Sequence, residues 1–147
     1  MIDFLEFHVD KFTFRVAKDR WYNAEGVWAK WEGLNVQIGL SDYLQQRSGD
    51  VAFAEIKPVG TSVSQGEEVA VIETIKVNIS LPSPVTGNVI FVNDATAMSP
   101  EIINQAPYDQ GWLAILSVSD FPSQMKHLMD AQTYYEKIKQ EAEQESG

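Results

Sequence analysis

The chain has 147 residues, 11 Lys and Arg against 21 Asp and Glu, a formal charge of −10 and no cysteine. That length suits one domain with a core of ordinary size, and the lack of Cys excludes thiol catalysis, Cys-ligated zinc and iron–sulfur clusters. The acid excess argues against a nucleic-acid partner, because phosphate binding needs a concentrated basic surface.

The amino terminus, Met1 to Phe7, has no basic run followed by an apolar stretch. It is not expected to be a targeting peptide, and no segment approaches the roughly 18 apolar residues of a membrane span. A cytoplasmic protein without membrane contact is the expectation. From Val27 onward, short runs of Val, Ile and Trp alternate with turn residues, as in a β-rich domain. Val27–Trp31 and Leu34–Leu40 read as two strands joined through Glu32-Gly33. Ser41-Asp42 is a cap for a short helix over Tyr43 to Arg47, ended by Gly49. Val51 to Ile56 alternates, with Val51, Phe53 and Glu55 on one face and Ala52, Ala54 and Ile56 on the other.

Glu68 to Glu73 and Val77 to Leu81 are strand-like arms around Thr74-Ile75-Lys76, and Pro82-Ser83-Pro84 forces an extended kink. Val85 to Val92 is the next strand, interrupted by Gly87. Ser99-Pro100-Glu101 opens a short helix through Asn104, closed by Pro107, and Trp112 to Val118 is the last strand. Ser119 to the terminus reads as two helices, with Leu128-Met129 and later Tyr134-Tyr135-Ile138 supplying apolar contacts. The tail from Glu136 carries Lys137–Glu141 and Lys139–Glu143 in the weaker i,i+4 orientation, which suggests a solvated, fraying end. The four tryptophans, Trp21, Trp28, Trp31 and Trp112, read as core residues; two exposed beside the Lys76 turn would instead make a partner patch.

Catalytic motifs are missing: there is no Gly-x-Gly-x-x-Gly, no phosphate-binding Gly-rich loop and no His-Glu-x-x-His. His8 and His127 read as surface or capping residues. Lys76 stands apart. Between Glu32 and Met125 the only basic residues are Arg47, Lys57 and Lys76, against eleven acids. A lone lysine between short strands keeps an edge soluble, but it is also what a carrier needs: an amine on a tight turn over a rigid base.

The company of Lys76 favours the second reading. Pro58-Val59-Gly60, Gly66-Glu67, Glu73-Thr74-Ile75-Lys76 and Pro84-Val85-Thr86-Gly87 occur in order, with Gly66 ten places before the lysine and Gly87 eleven after. Val92-Asn93-Asp94, Ser99-Pro100-Glu101, Asn104, Pro107-Tyr108 and Gly111-Trp112 follow. From about Tyr22 to Tyr135 the chain resembles the H protein of the glycine cleavage system, a carrier whose lysine bears lipoic acid by amide linkage. The resemblance implies a mainly β, lipoyl/biotinyl-carrier-type hammerhead (a barrel-sandwich hybrid) with short helices and a C-terminal helical segment. It implies an N-terminal extension over 1–21, a carrier domain over 22–118 and C-terminal helices over 119–147. It also implies lipoyl attachment at Lys76, recognition by the lipoylating enzyme through Glu73, and hairpin geometry set by Gly66 and Gly87. Biotin carriers place their lysine between methionines, which Ile75-Lys76-Val77 does not match.

The resemblance departs at Val77-Asn78, where the family prefers small residues, in the segment of about twenty residues ahead of the shared region, and at one motif near the first strand. Where the family has His-Glu-Trp, this chain has Gly26-Val27-Trp28, and Gly and Val cannot hold a polar cargo. The expected function is therefore a non-enzymatic lipoyl carrier whose arm on Lys76 shuttles an intermediate between partner enzymes. The departure tilts the cargo toward sulfur intermediates of a heterodisulfide-reductase-like oxidation system. The alternatives are an aminomethyl group in the glycine cleavage system and an unmodified scaffold. Expected partners are a lipoate ligase or lipoyl transferase and the enzymes of the multi-component system.

Overall fold

A computed structural model describes residues 1–146. In chain order the elements are β1 (Phe4–Val9), β2 (Phe12–Ala17), β3 (Trp21–Tyr22), β4 (Val27–Glu32), β5 (Asn35–Leu40), α1 (Asp42–Ser48), β6 (Val51–Ile56) and β7 (Ser62–Val63). They continue with β8 (Glu68–Thr74), β9 (Asn78–Pro82), β10 (Gly87–Val92), α2 (Ala95–Met98), α3 (Ile102–Gln105), β11 (Ala114–Ser117), α4 (Phe121–Met125) and α5 (Ala131–Ser146). The strands form a two-stranded hairpin β1-β2, a six-stranded sheet β3-β4-β5-β11-β10-β7 and a three-stranded sheet β6-β8-β9. Among the described residues pairing is antiparallel throughout and no barrel closes. The molecule is mainly β with short helices, as the sequence implies.

Two apolar clusters hold it together, and β4 feeds both. Successive side chains of a strand point to opposite faces. Val27 and Ala29 therefore face the main core with Val36, Ile38 and Leu40 of β5, Ile72 of β8, Leu81 of β9 and Leu116 of β11. Trp28 points the other way, into a second cluster with Tyr22, Phe7, Phe14, Tyr43, Tyr108 and Tyr134. Its indole N–H donates to the carbonyls of Leu40 and Pro107. Of the other tryptophans, Trp21 and Trp112 are half-buried, whereas Trp31 is 44% exposed and leans on Phe121.

Three sequence expectations change. The alternation of β6 breaks at a bulge: Val51 pairs with Thr74 and Phe53 with Glu73, so the extra residue shifts the phase. Val51 and Ala54 are buried, and Phe53 lies outside at 48% exposure. The tail from Glu136 is docked rather than solvated, as far as Ala142. Tyr134, Ile138 and Ala142, four residues apart, form the buried stripe of α5, while Lys137–Glu141 and the Arg47–Glu145 ion pair hold its outer turns. The surface that receives it includes the β1-β2 hairpin, turned at Asp10-Lys11 with Asp10 at φ 54°. Phe7, Phe14, Val16 and Ala17 of this hairpin are buried. Lastly, Gly87 opens β10 instead of interrupting a longer strand, and α2 precedes the expected short helix.

Candidate functional site

Lys76 occupies the turn between β8 and β9, held from its own backbone and from outside. Register across the hairpin runs Val71↔Ser80, Ile72↔Ile79, Glu73↔Asn78. The Thr74 N–H donates to the Val77 carbonyl at 2.8 Å. The Thr74 hydroxyl accepts from the N–H groups of Lys76 (3.2 Å) and Val77 (3.0 Å) and donates to the Val77 carbonyl. A Thr hydroxyl satisfying successive turn amides is the local device that fixes such a loop.

The outside support comes from the link between α1 and β6. The Ile75 N–H donates to the Asp50 carbonyl at 3.3 Å. That link is clamped by Asn104 of α3: its amide donates to the Gly49 carbonyl and to Gln45 Oε1, both at 3.0 Å, and its oxygen accepts from the Val51 N–H at 2.9 Å. Helix α1 starts at a Ser41 cap whose hydroxyl accepts from the Leu44 N–H, and ends at Gly49 with φ 90°, a left-handed conformation glycine adopts without a Cβ clash. The lysine stem passes close to Gly49. The Cδ and Cε of Lys76 lie 3.4 and 3.5 Å from where a Cβ on Gly49 would sit, so the stem folds over the end of α1.

Lys76 is exposed, between Ile75 at 77% and Val77 at 49% exposure. Among the described residues neither Lys76 nor Glu73 forms an ion pair. Glu73 is exposed on the outer face of the three-stranded sheet, between Phe53 and Asn78. Gly66 and Gly87 lie at the foot of the arm, not its tip. Gly66 takes φ 92° in the turn before β8, and its N–H donates to the Ser83 carbonyl just past β9. Gly87 is needed for space, since a Cβ there would collide with the Ser117 carbonyl.

The Gly26-Val27-Trp28 segment lies at the far end of α1. Gly26 has φ 95°, and a Cβ would sit 2.9 Å from the Tyr134 hydroxyl, which bonds to Ser41 Oγ at 2.7 Å. The position favours glycine twice over, by backbone and by space. Burial pushes the Tyr134 phenol well above its ordinary pKa despite the Ser41 hydrogen bond, so it stays neutral. A cavity of about 420 Å³ opens beside it, lined by Glu25, Tyr43, Arg47, Tyr134, Lys137 and Glu141.

A second opening, a groove of about 320 Å³, shares Tyr43, Arg47 and Glu145 with that cavity and is walled by the amino-terminal hairpin, with Lys76 among its lining residues. The Arg47 guanidinium bonds to Tyr43 Oη and Glu145 between the two openings. The hydrogen bond to Glu145 raises the Arg47 pKa, and in turn holds the Glu145 carboxyl below its usual range. His8, bonded to Thr13, and His127 are both exposed and distant in sequence from the turn. Sequence reasoning missed Thr74 and Asn104 as supports for the lysine, although Asn104 belongs to the second stretch of family likeness. It also missed the groove, whose walls come from segments far apart in the chain.

Comparison with known proteins agrees with this geometry. Residues 20–141 match the family model described as glycine cleavage H-protein. The chain is 39% identical over 127 residues to the glycine cleavage system H protein of Thermus thermophilus, covering 86% of this chain and 98% of that one. It is 34% identical over 140 residues to glycine cleavage system H protein 4 of Aquifex aeolicus, covering 95% of this chain and 80% of the relative. The crystal structure of a glycine cleavage system H protein from Mycobacterium marinum superposes with a TM-score of 0.72 at 28% identity, over 82% of this chain and 97% of that one. The chain belongs to the glycine cleavage H-protein family, whose members are not enzymes but carriers bearing lipoic acid covalently on a lysine.

Proposed function

We propose that this protein is a lipoyl carrier modified at Lys76, that Glu73 is read by the lipoylating enzyme, and that the arm carries the aminomethyl intermediate of glycine cleavage. The observation that carries the reading is the exposed, unpaired Lys76 on a turn held by Thr74, Asp50 and Asn104. A ligase needs an accessible amine, and a swinging arm needs a fixed pivot. The residues fit the group: among the described residues no carboxylate pairs with the lysine, and Val9, Phe12 and Phe14 line the groove that it borders. Lipoic acid would supply the dithiol chemistry that a chain without Cys lacks.

The sulfur-carrier reading rests on the loss of the His-Glu pair at Gly26 and Val27 and has no other support; the relatives reported above are all glycine cleavage H proteins. The glycine system is therefore the leading assignment, served by a lipoate ligase or lipoyl transferase and by the enzymes of that system. The test is exchange of labelled bicarbonate into glycine by a glycine decarboxylase given the lipoylated chain, the unmodified chain or lipoate-treated Lys76→Arg. Exchange is expected with the lipoylated chain alone. No exchange with a verified lipoylated chain would overturn the aminomethyl cargo.

A further inference from the structure

We propose that the outer edge of β1 is a pairing edge for a second copy of this chain, joining two amino-terminal hairpins into one antiparallel sheet. The inference is independent of lipoylation and uses residues ahead of the family-matched 20–141. Side chains of the chain itself close the outer edge of β2. Gln46 donates to the Thr13 carbonyl, Asp42 accepts from the Arg15 N–H, and the Tyr108 and Tyr22 hydroxyls donate to the Arg15 and Ala17 carbonyls. Since Thr13, Arg15 and Ala17 turn these backbone groups outward, so do the residues opposite them, His8, Glu6 and Phe4. Along that edge of β1, among the described residues, only the Glu6 carbonyl has a partner, the Tyr135 hydroxyl at 3.3 Å, and a carbonyl has a second lone pair to offer.

A row of open N–H and C=O groups is a template for another strand, and the residues of β1 specify which one. Glu6 and His8 are exposed on its outer face. With Phe7 at a two-fold axis, Glu6 of each copy lies opposite the partner's His8, and the two exchange backbone N–H and C=O groups as a hydrogen-bonded pair. Each Glu6 is held by Arg15 Nε at 2.9 Å, and each His8 meets Thr13 Oγ1 through Nδ1. The other ring nitrogen, Nε2, is left for a carboxylate and already lies 3.6 Å from Glu6 of its own chain. The outer face then reads Arg15, Glu6, the partner's His8, the partner's Thr13, with no like charges adjacent. Shifting the axis to Glu6 sets Glu6 against the partner's Glu6. Shifting it to His8 sets Glu6 against the partner's Asp10, and like charges directly opposite disfavour both. One self-complementary register argues for a second copy over a foreign strand. Because the pairing is antiparallel, the two Lys76 turns, each beside the tip of its own hairpin, stand at opposite ends of the joint sheet.

The test uses the full chain, whose lack of Cys gives a clean background for introduced thiols. Each copy carries a charge of −10, so the measurements are made at about 0.15 M salt, where repulsion is screened beyond roughly 8 Å. Sedimentation of the wild type from micromolar to millimolar concentration should show monomer passing into dimer. His8→Pro removes an N–H that no group of the same chain uses among the described residues. Thermal unfolding should therefore stay near that of the wild type while the dimer is lost. Register is read by mixing Glu6→Cys chains with His8→Cys chains under mild oxidation, a readout that needs no proline. The mixed disulfide should exceed either symmetric one about tenfold, since a two-residue offset carries the sulfurs out of bonding range. A wild type that stays monomeric, a dimer that folded His8→Pro retains, or thiols that pair at random would each overturn the proposal, the first leaving the edge to a strand of another protein.

Discussion

Asn104→Ala removes the clamp behind the Lys76 turn. Its side chain makes three hydrogen bonds, to Gln45, Gly49 and Val51, at 2.9–3.0 Å. At about 0.5–1.5 kcal/mol net for each, and with the Val51 N–H left without its partner in a part-buried place, the loss should be about 2–4 kcal/mol. Asn104→Asp keeps the acceptor for Val51 but sets an acceptor-only carboxylate oxygen against Gln45 Oε1 and the Gly49 carbonyl, so it should not restore the clamp. Urea unfolding of both variants gives the global term. Amide exchange gives the local one: every 1.4 kcal/mol lost locally quickens exchange about tenfold, first at Val51 and then at Ile75, whose bond to Asp50 depends on the same link. A loss below about 1 kcal/mol with unchanged exchange at both amides would refute the view that α3 braces the turn.

Two further predictions test the surroundings. Ser41→Ala removes a helix cap, worth about 1 kcal/mol, and strands the buried Tyr134 hydroxyl, worth about 1–3 kcal/mol more; Ser41 and Tyr134 share that bond at 2.7 Å. Adding Tyr134→Phe to Ser41→Ala should therefore cost nothing or restore stability in denaturant titrations, and additive losses would contradict the coupling. Asp19 supplies a pH dependence. Burial pushes its carboxyl up, but the hydrogen bond and charge of Arg20, with Lys30, more than offset this and hold it below the ordinary value of 3.8. Because its folded pKa is lowered, the stabilisation is complete above that value and is lost as pH falls through the folded pKa. Arg20 itself is buried against the Trp28 and Tyr108 rings. Thermal unfolding at falling pH should show a slope below pH 3.8 that Asp19→Asn flattens; an unchanged slope would remove Asp19 from the account.

The elements written locally were legible. Ser41 and Gly49 bracket α1 because a capping hydroxyl and a left-handed glycine are both residue-type signals, and the arms around Lys76 show in their β-branched runs. What depended on distant partners was not. The bulge in β6 is a property of its pairing with β8, so alternation alone put Val51 on one face with Phe53 when the two part. The apolar contacts of Tyr134 and Ile138 were legible, but the end of α5 looked solvated because Ala142 packs in one cluster with Phe7 and Phe14 from the opposite end of the chain. At the candidate site, the position of Lys76 on the turn between two strands was legible from order and spacing. Gly66 and Gly87 were legible as positions, but their work, at the foot of the arm, needed the contacts to Ser83 and Ser117.

Peptide-resolved mass spectrometry of the protein after incubation with lipoate, ATP and a lipoate ligase, beside Lys76→Arg, bears most directly on the central claim. The account predicts one lipoyl group, on the peptide containing Lys76, and none on the variant. A lipoyl group on any other lysine, or none on Lys76 with a ligase that modifies an authentic H protein in the same tube, would contradict it.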